Sequence, residues 1–119
     1  ALGADVPALF TPDHSLASEL AQCAAQEGDP LWRLPLYGPY EEELKSSIAD
    51  MVNAPEGGMA GAITAALFLQ RFTDGARAWA HFDVYAYNQR SRPGRPQGGE
   101  AMGLRALYRY LHDRFGVAH

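Results

Sequence analysis

The segment AITAALFLQRF, residues 62–72, constrains the fold of this chain most strongly because it has almost no polar face. Its apolar side chains fall on all sides of a helix with 3.6 residues per turn, which predicts a helix that is buried nearly all round. A chain of 119 residues forms one domain at most, and it can supply little cover for such a helix. We therefore expect the chain to be an incomplete piece of a larger fold.

Residues 78–88, AWAHFDVYAYN, alternate in the manner of a β-strand. The alternation predicts one face directed toward a core, formed by Ala78, Ala80, Phe82, Val84 and Ala86. On the other face, His81 and Asp83 project in the same direction, as two metal ligands could. A metal site needs three or more converging ligands, and no H-x-x-x-H, H-E-x-x-H or D-x-D-x-D motif occurs. We expect His81 and Asp83 to satisfy neighbouring groups in a sheet, and we assign no metal ligand.

The rest of the chain alternates between helical and extended patterns. The pattern predicts a strand in Val6–Phe10, a helix from Thr11-Pro12-Asp13 to Gly28, an extended connector at 29–40, a helix at 41–52 and a last helix from Glu100 to Phe115. This order favours an α/β layered fold. Two clear strands are too few for an ordinary sheet, so we expect the sheet to be incomplete.

The formal charge of −4 and its distribution along the chain bear on which partners the protein can bind. Residues 1–60 carry ten carboxylates and two cations, whereas residues 61–119 carry four carboxylates and eight arginines. The weakly acidic total argues against nucleic acid as the main ligand, and the basic loop at Arg90, Arg92 and Arg95 is read as solvated surface. No apolar run is long enough for a membrane span, and no signal-peptide pattern occurs. These features predict a cytoplasmic protein with no membrane partner.

Nucleophilic and anion-binding chemistry have weak support in the sequence. The only cysteine, Cys23, is flanked by Ala24 and Ala25, which predicts a small buried side chain rather than a nucleophile. There is no G-x-S-x-G motif. The stretch GGEAMG, residues 98–103, could present backbone N–H groups to an anion beside the basic loop. A non-catalytic anion-binding or assembly module is therefore the alternative to an enzyme.

Five stretches resemble, in order and spacing, the C-terminal part of the leucyl aminopeptidases, the cytosol aminopeptidase family. They are DPLWRLPL, ADMVN, GGMAGAITAALFLQRF, WAHFDV and GGEAMGLRAL. The resemblance implies that residues 1–119 are the C-terminal portion of a three-layer α/β/α catalytic domain. It also implies a cytoplasmic homohexamer that removes N-terminal residues from peptides with two divalent ions, manganese or zinc, per subunit.

The resemblance also implies which parts of the site this chain contains. The family's metal ligands cluster in an N-T-D-A-E-G-R signature that is absent here, and Lys45 belongs to a different matching segment. We therefore expect this segment alone to bind no metal and to be inactive, as part of a parent enzyme whose remaining chain is its partner.

Three positions are implied to line the cavity for the substrate's first side chain, namely Ala54, Tyr85 and Asn88. Ligands in α/β sheets bind at the carboxyl ends of strands, and Tyr85 and Asn88 lie toward the carboxyl end of the predicted strand, so this rule also places them near a pocket. The family's AHLDIAG becomes AHFDVYA here, so a tyrosine replaces a small alanine. We predict a narrowed first pocket, with simple packing of Tyr85 against a neighbouring helix as the alternative.

Overall fold

A computed structural model describes residues 2–42 and 59–116 of the chain. The elements are β1 Ala8–Phe10, α1 His14–Glu27, β2 Trp32–Arg33, a 3-10 turn Gly38–Tyr40, α2 Gly61–Gln70, β3 His81–Asp83, β4 Tyr87–Asn88, β5 Gly98–Gly99 and α3 Leu104–Phe115. The predicted α/β character is confirmed. The predicted helix at 41–52 lies outside the described residues except for Glu41 and Glu42, which are helical.

The main sheet has the strand order β2-β1-β3, so the first strand of the chain is its centre. β1 runs parallel to β2, with Ala8 opposite Trp32, and antiparallel to β3, with Leu9 opposite Phe82. A separate antiparallel ribbon joins β4 to β5, with Asn88 opposite Gly98. Three short strands make a small sheet, as the prediction of an incomplete sheet requires.

Three layers form because consecutive residues of β1 point to opposite faces of the sheet. Leu9 faces a cluster built with α1, and Phe82, Leu107 and Tyr110 pack against that cluster. Phe10 faces the opposite cluster together with Ala66 of α2. The helices α1 and α3 therefore cover one face of the sheet and α2 covers the other.

Helix α1 begins and ends where the sequence predicts. The Asp13 carboxylate accepts a hydrogen bond from the Leu16 N–H at 3.1 Å, which satisfies one of the free donors of the first turn. Gly28 follows the last residue with φ of 59°, the left-handed conformation that ends many helices. The buried face is the predicted apolar stripe and comprises Leu16, Ala17, Leu20, Cys23 and Ala24.

Polar contacts support the packing of α3 on α1. The Arg109 guanidinium donates to Glu27 at 3.2 Å and to Asp113 at 3.1 Å. Its hydrogen bond to Asp113 lowers the pKa of that carboxyl group. Only the Arg109–Glu27 pair joins α3 to α1, whereas the Arg109–Asp113 pair lies within α3. All three side chains are partly accessible to solvent, so the two ion pairs add little stability.

The helix α2 is shorter and less buried than predicted. It ends at Gln70, and among the described residues it buries only Ala66 and Leu67 fully. Phe68 and Leu69 are partly exposed, and Phe72, just beyond the helix, is 72 % exposed. The prediction of a helix buried all round is wrong for this chain, because the described elements cover only one side of it.

The predicted strand at 78–88 is two strands separated by a turn. β3 ends at Asp83, and Ala86 adopts a left-handed φ of 58° before β4 begins at Tyr87. Among the residues of the predicted core face, Phe82 packs against the core, whereas the others, Ala78, Ala80, Val84 and Ala86, are exposed. The core-face prediction therefore holds at one position, because β3 lies at an edge of the sheet. The last helix likewise begins at Leu104 rather than Glu100, since Gly103 has φ of 80°.

Candidate functional site

Tyr85 lies two residues after the end of β3, on the wall of a cavity of about 160 Å³. The cavity is lined by Leu2, Gly3, Val6, Ala8, Ala62, Asp83, Val84 and Tyr85. The Tyr85 side chain is 55 % exposed, and its ring meets the Tyr87 ring edge to face at 6.2 Å. The structure thus brings Tyr85 to a cavity between the start of the chain, β3 and the first turn of α2.

The direction of β3 changes the argument that first placed Tyr85 near a pocket. Ligands gather at the carboxyl ends of parallel strands. Because β3 is antiparallel to β1, its carboxyl end lies beside the amino end of β1, where Asp83 faces Ala8. The strand-end argument is therefore wrong for Tyr85, and its assignment depends on the family resemblance and on the cavity itself.

Asn88 is held inside the ribbon rather than at that cavity. Its side chain is 3 % exposed, and its Nδ2 donates to the backbone carbonyls of Arg95 at 2.8 Å and Pro96 at 3.0 Å. Both amide hydrogens of Asn88 are therefore used in closing the loop between β4 and β5. Ala54, the third predicted pocket residue, lies outside the described residues.

Two arginines of the basic loop pair with one carboxylate. Glu100 accepts from Arg95 at 2.5 Å and from Arg92 at 3.4 Å, and its side chain is largely buried. Arg92 and Arg95 also exchange two backbone hydrogen bonds of 2.7 Å, which form a tight turn. Two of the three arginines that supported an anion site are therefore committed to an internal ion pair, while Arg90 is exposed.

The first turn of α3 is also occupied from within the chain. Asp29 accepts from the Gly103 N–H at 3.1 Å and from the Ala106 N–H at 3.0 Å. The Gly103 N–H is the last donor of the GGEAMG stretch, and the Ala106 N–H lies in the first turn of α3. A buried carboxylate of the chain therefore takes the place at the start of α3 that the anion-binding interpretation gave to an external anion.

His81 and Asp83 do not form a metal centre with other described residues. The His81 ring stacks on the Phe10 ring at 5.9 Å, on the central strand of the sheet. Across residues 2–42 and 59–116, no group of three or more His, Cys, Asp or Glu side chains is placed to hold a metal ion. The described residues therefore do not fit a divalent ion.

A larger cavity, of about 760 Å³, lies at the opposite edge of the sheet and was missed by the sequence analysis. It follows the carboxyl ends of β1 and β2, where Thr11 and Arg33 lie. The Arg33 guanidinium donates to the Thr11 carbonyl at 3.0 Å and lies 2.8 Å from His14 Nδ1. The polar residues Thr11, His14 and Arg33, at or just after the ends of two extended segments, were the available signal, but only strand pairing brings them together.

Cys23 is confirmed as a packing residue. It is buried on α1, and burial raises the pKa of its thiol, an effect that the nearby Asp113 carboxylate increases. A raised pKa reduces the thiolate fraction at neutral pH, so this cysteine is a poor nucleophile.

Comparison with known families now identifies the fold. A model of the catalytic domain of the cytosol aminopeptidase family matches residues 1–108. The chain belongs to the cytosol aminopeptidase family. Family members described as probable cytosol aminopeptidases include one from Synechococcus, 41 % identical over 117 residues, and one from Oleidesulfovibrio alaskensis, 44 % identical over 109 residues. These alignments cover 96 % and 90 % of the chain but only 23 % and 21 % of the relatives.

Two solved structures have the same fold in the matching region. The cytosol aminopeptidase from Coxiella burnetii is 53 % identical with a TM-score of 0.84, over 97 % of this chain and 25 % of that protein. The bottromycin maturation enzyme BotP in complex with Mn is 31 % identical with a TM-score of 0.78, over 96 % of this chain and 26 % of that protein. The chain matches the C-terminal region and spans about a quarter of these relatives. The predicted membership in this family is confirmed.

None of the helices in the described part of the chain is both long and apolar enough to cross a membrane.

Proposed function

We propose that residues 1–119 form the C-terminal segment of a metal-dependent aminopeptidase that removes N-terminal residues from peptides. In this proposal the segment supplies scaffold and part of the substrate pocket, and it is inactive alone. The observation that carries the proposal is the 53 % identity to the Coxiella burnetii cytosol aminopeptidase, with a TM-score of 0.84 over almost the whole chain.

The metal ions of this proposed enzyme, two manganese or zinc ions per subunit, are assigned to the rest of the parent protein. The described residues do not fit such an ion, so we derive no step of the reaction through His81 or Asp83. The relative BotP in complex with Mn supports a divalent ion in the complete enzyme.

The pocket for the substrate's first side chain is proposed to include Tyr85, Asn88 and Ala54. Tyr85 is supported by its place on the cavity wall, where a phenol ring fills volume that the family's alanine would leave open. A narrower pocket disfavours branched or bulky first residues, because a pocket discriminates strongly against groups that overfill it. Asn88 is included as support for the pocket wall, because it lies in the ribbon beside Tyr87 with its side chain buried away from the cavity.

The exposed apolar side chains bear on how the segment is assembled into the enzyme. We propose a cytoplasmic homohexamer, with the remaining chain of the parent protein covering apolar side chains that the described residues leave exposed. The most exposed of these are Trp32, Met59, Phe72, Tyr108 and Phe115. Exposed apolar groups of this number are expected on a segment whose partners are other parts of the same enzyme.

A segment exchange tests the proposal. The matching quarter of the Coxiella burnetii cytosol aminopeptidase is replaced by this chain, and hydrolysis of leucine p-nitroanilide is measured with added manganese or zinc. We expect metal-dependent hydrolysis by the chimera, and none by the Coxiella enzyme from which the segment is deleted. An inactive but folded chimera would contradict the proposal, as would metal-dependent turnover by the 119-residue chain alone.

A further inference from the structure

The loop between β4 and β5, residues 89–97, is closed by side chains as well as by backbone. Asn88 donates to the carbonyls of Arg95 and Pro96, and the backbone groups of Arg92 and Arg95 pair with each other. Glu100 accepts from both arginines. The loop is therefore a fixed structure, and the buried side chain of Asn88, the last residue of β4, lies at its base.

The same contacts connect this loop to Tyr85. Glu100, which holds the two arginines, donates its backbone N–H to the Ala86 carbonyl at 3.1 Å. Ala86 is the left-handed residue that turns the chain between Tyr85 and Tyr87. A displacement of the loop therefore changes the turn that orients the Tyr85 ring at its cavity.

The hydrogen-bond chemistry makes Asn88 the central group of this arrangement. A buried amide donates its two hydrogens to two carbonyl oxygens here, and an acceptor in its place would set oxygen against oxygen. Each buried carbonyl left without a donor would also carry a large desolvation cost. An aspartate has nearly the same shape but presents only acceptors when ionised.

We propose that Asn88 is a positioning residue that sets the width of the first-residue pocket through Tyr85, rather than by touching the substrate. This inference rests on the proposed aminopeptidase function and deepens it. Asn88 holds the 89–97 loop, the arginines of that loop hold Glu100, and Glu100 holds the turn at Ala86 through its backbone N–H.

The test uses the complete parent protein and compares kcat/KM for leucine and alanine p-nitroanilides. Asn88→Asp should raise the leucine-to-alanine ratio by about tenfold, because a released Tyr85 ring no longer narrows the pocket. The matched control is Gln97→Glu, which adds the same charge to the same loop through an exposed side chain and should leave the ratio within about twofold.

A double-mutant cycle decides whether Asn88 acts through Tyr85. In a Tyr85→Ala background, Asn88→Asp should leave the ratio unchanged. An equal shift in both backgrounds, or no shift in either, would overturn the inference. If Asn88→Asp does not fold, Arg95→Gln replaces it, because loss of the ion pair to Glu100 loosens the same loop. Arg95→Gln must then raise the leucine-to-alanine ratio when Tyr85 is present and leave it unchanged in the Tyr85→Ala background.

Failure of the proposed function gives a different result. If the complete wild-type protein hydrolyses neither substrate, the aminopeptidase proposal fails, and hydrogen exchange then tests the positioning role. Asn88→Asp must increase exchange of the Glu100 amide, which is bonded to Ala86, while Gln97→Glu must not. Unchanged exchange of that amide would overturn the inference by itself.

Discussion

The carboxylate of Asp29 accepts a hydrogen bond from the backbone N–H of Gly103, 74 residues further along the chain. Its second oxygen accepts from the Ala106 N–H, and the Asp29 residue is 3 % exposed. A side chain in the connector after α1 therefore caps α3, in place of the usual capping residue directly before the helix. The cap joins the two helices that cover one face of the sheet.

Asp29→Asn should destabilise the protein. The asparagine can accept from one N–H only, and its amide hydrogens then face the other donor, so we expect a loss of about 2 kcal/mol in the free energy of unfolding measured in urea. Asp13→Asn is the matched control, because asparagine is an equally good cap for the single N–H at the start of α1. Equal effects of the two substitutions would contradict a special role for Asp29.

Gly103→Ala should cost more stability than Gly28→Ala, although both glycines adopt a left-handed φ. A Cβ at Gly28 meets nothing within 4 Å, so only backbone strain of about 1 kcal/mol is expected. A Cβ at Gly103 would lie 2.8 Å from Cδ2 of Phe82, which adds a steric cost of about 1 to 3 kcal/mol. Thermal unfolding of the two variants gives the comparison. If Phe82→Leu does not reduce the cost of Gly103→Ala, the predicted contact is not its cause.

Ala86→Gly should stabilise the protein by up to about 1 kcal/mol. Ala86 has φ of 58°, a conformation that glycine adopts without the steric cost of a Cβ, although glycine also has more conformational entropy to lose on folding. Ala80→Gly, at an exposed position without a positive φ, should instead destabilise slightly. Urea unfolding of both variants measures the difference, and a loss of stability in Ala86→Gly would show that this strain is absent.

Tyr85→Ala in the complete protein should shift preference toward bulky first residues. Removal of the phenol ring enlarges the cavity of about 160 Å³, so the ratio of kcat/KM for leucine over alanine p-nitroanilide should rise by about tenfold or more. Tyr108→Ala on α3 is the control, because this residue does not line the cavity, and it should leave the ratio unchanged. An unaltered ratio for Tyr85→Ala would mean that the residue only packs against its neighbours.

Cys23 should react slowly with iodoacetamide in the folded protein. Because burial raises the pKa of its thiol, the reactive thiolate is scarce at pH 8 and increases only as pH rises above the usual range of cysteine. In urea the thiol recovers its ordinary pKa and should alkylate many times faster, as peptide mass spectrometry would show. Rapid alkylation of the native protein at neutral pH would contradict the burial of this side chain.

Local features of the fold were predictable because their causes lie within a few residues. The cap at Asp13, the end of α1 at Gly28 and the buried stripe between them depend on groups three or four positions apart. The strand at Ala8–Phe10 was predicted from its apolar run, and its alternation then divides the core between the two faces of the sheet.

The candidate site was predictable only in part. The five matching stretches indicated the family and the position of Tyr85, and the cavity beside Tyr85 is consistent with that position. The strand-end argument for Tyr85 did not hold, because the direction of β3 depends on its pairing with a strand more than 70 residues earlier. Nor could the sequence show that Asn88 faces Arg95 and Pro96 across a loop.

The sequence by itself determined the family, both ends of α1 and the alternation of the central strand, since these depend on residue order along the chain. Only the tertiary structure decided that β3 runs antiparallel, that Asp29 rather than an external anion occupies the start of α3, and that Asn88 closes a loop. Each of these is a pairing between distant segments. The free energy of such a pairing depends on where both segments lie in the folded chain, and no local sequence pattern specifies those positions.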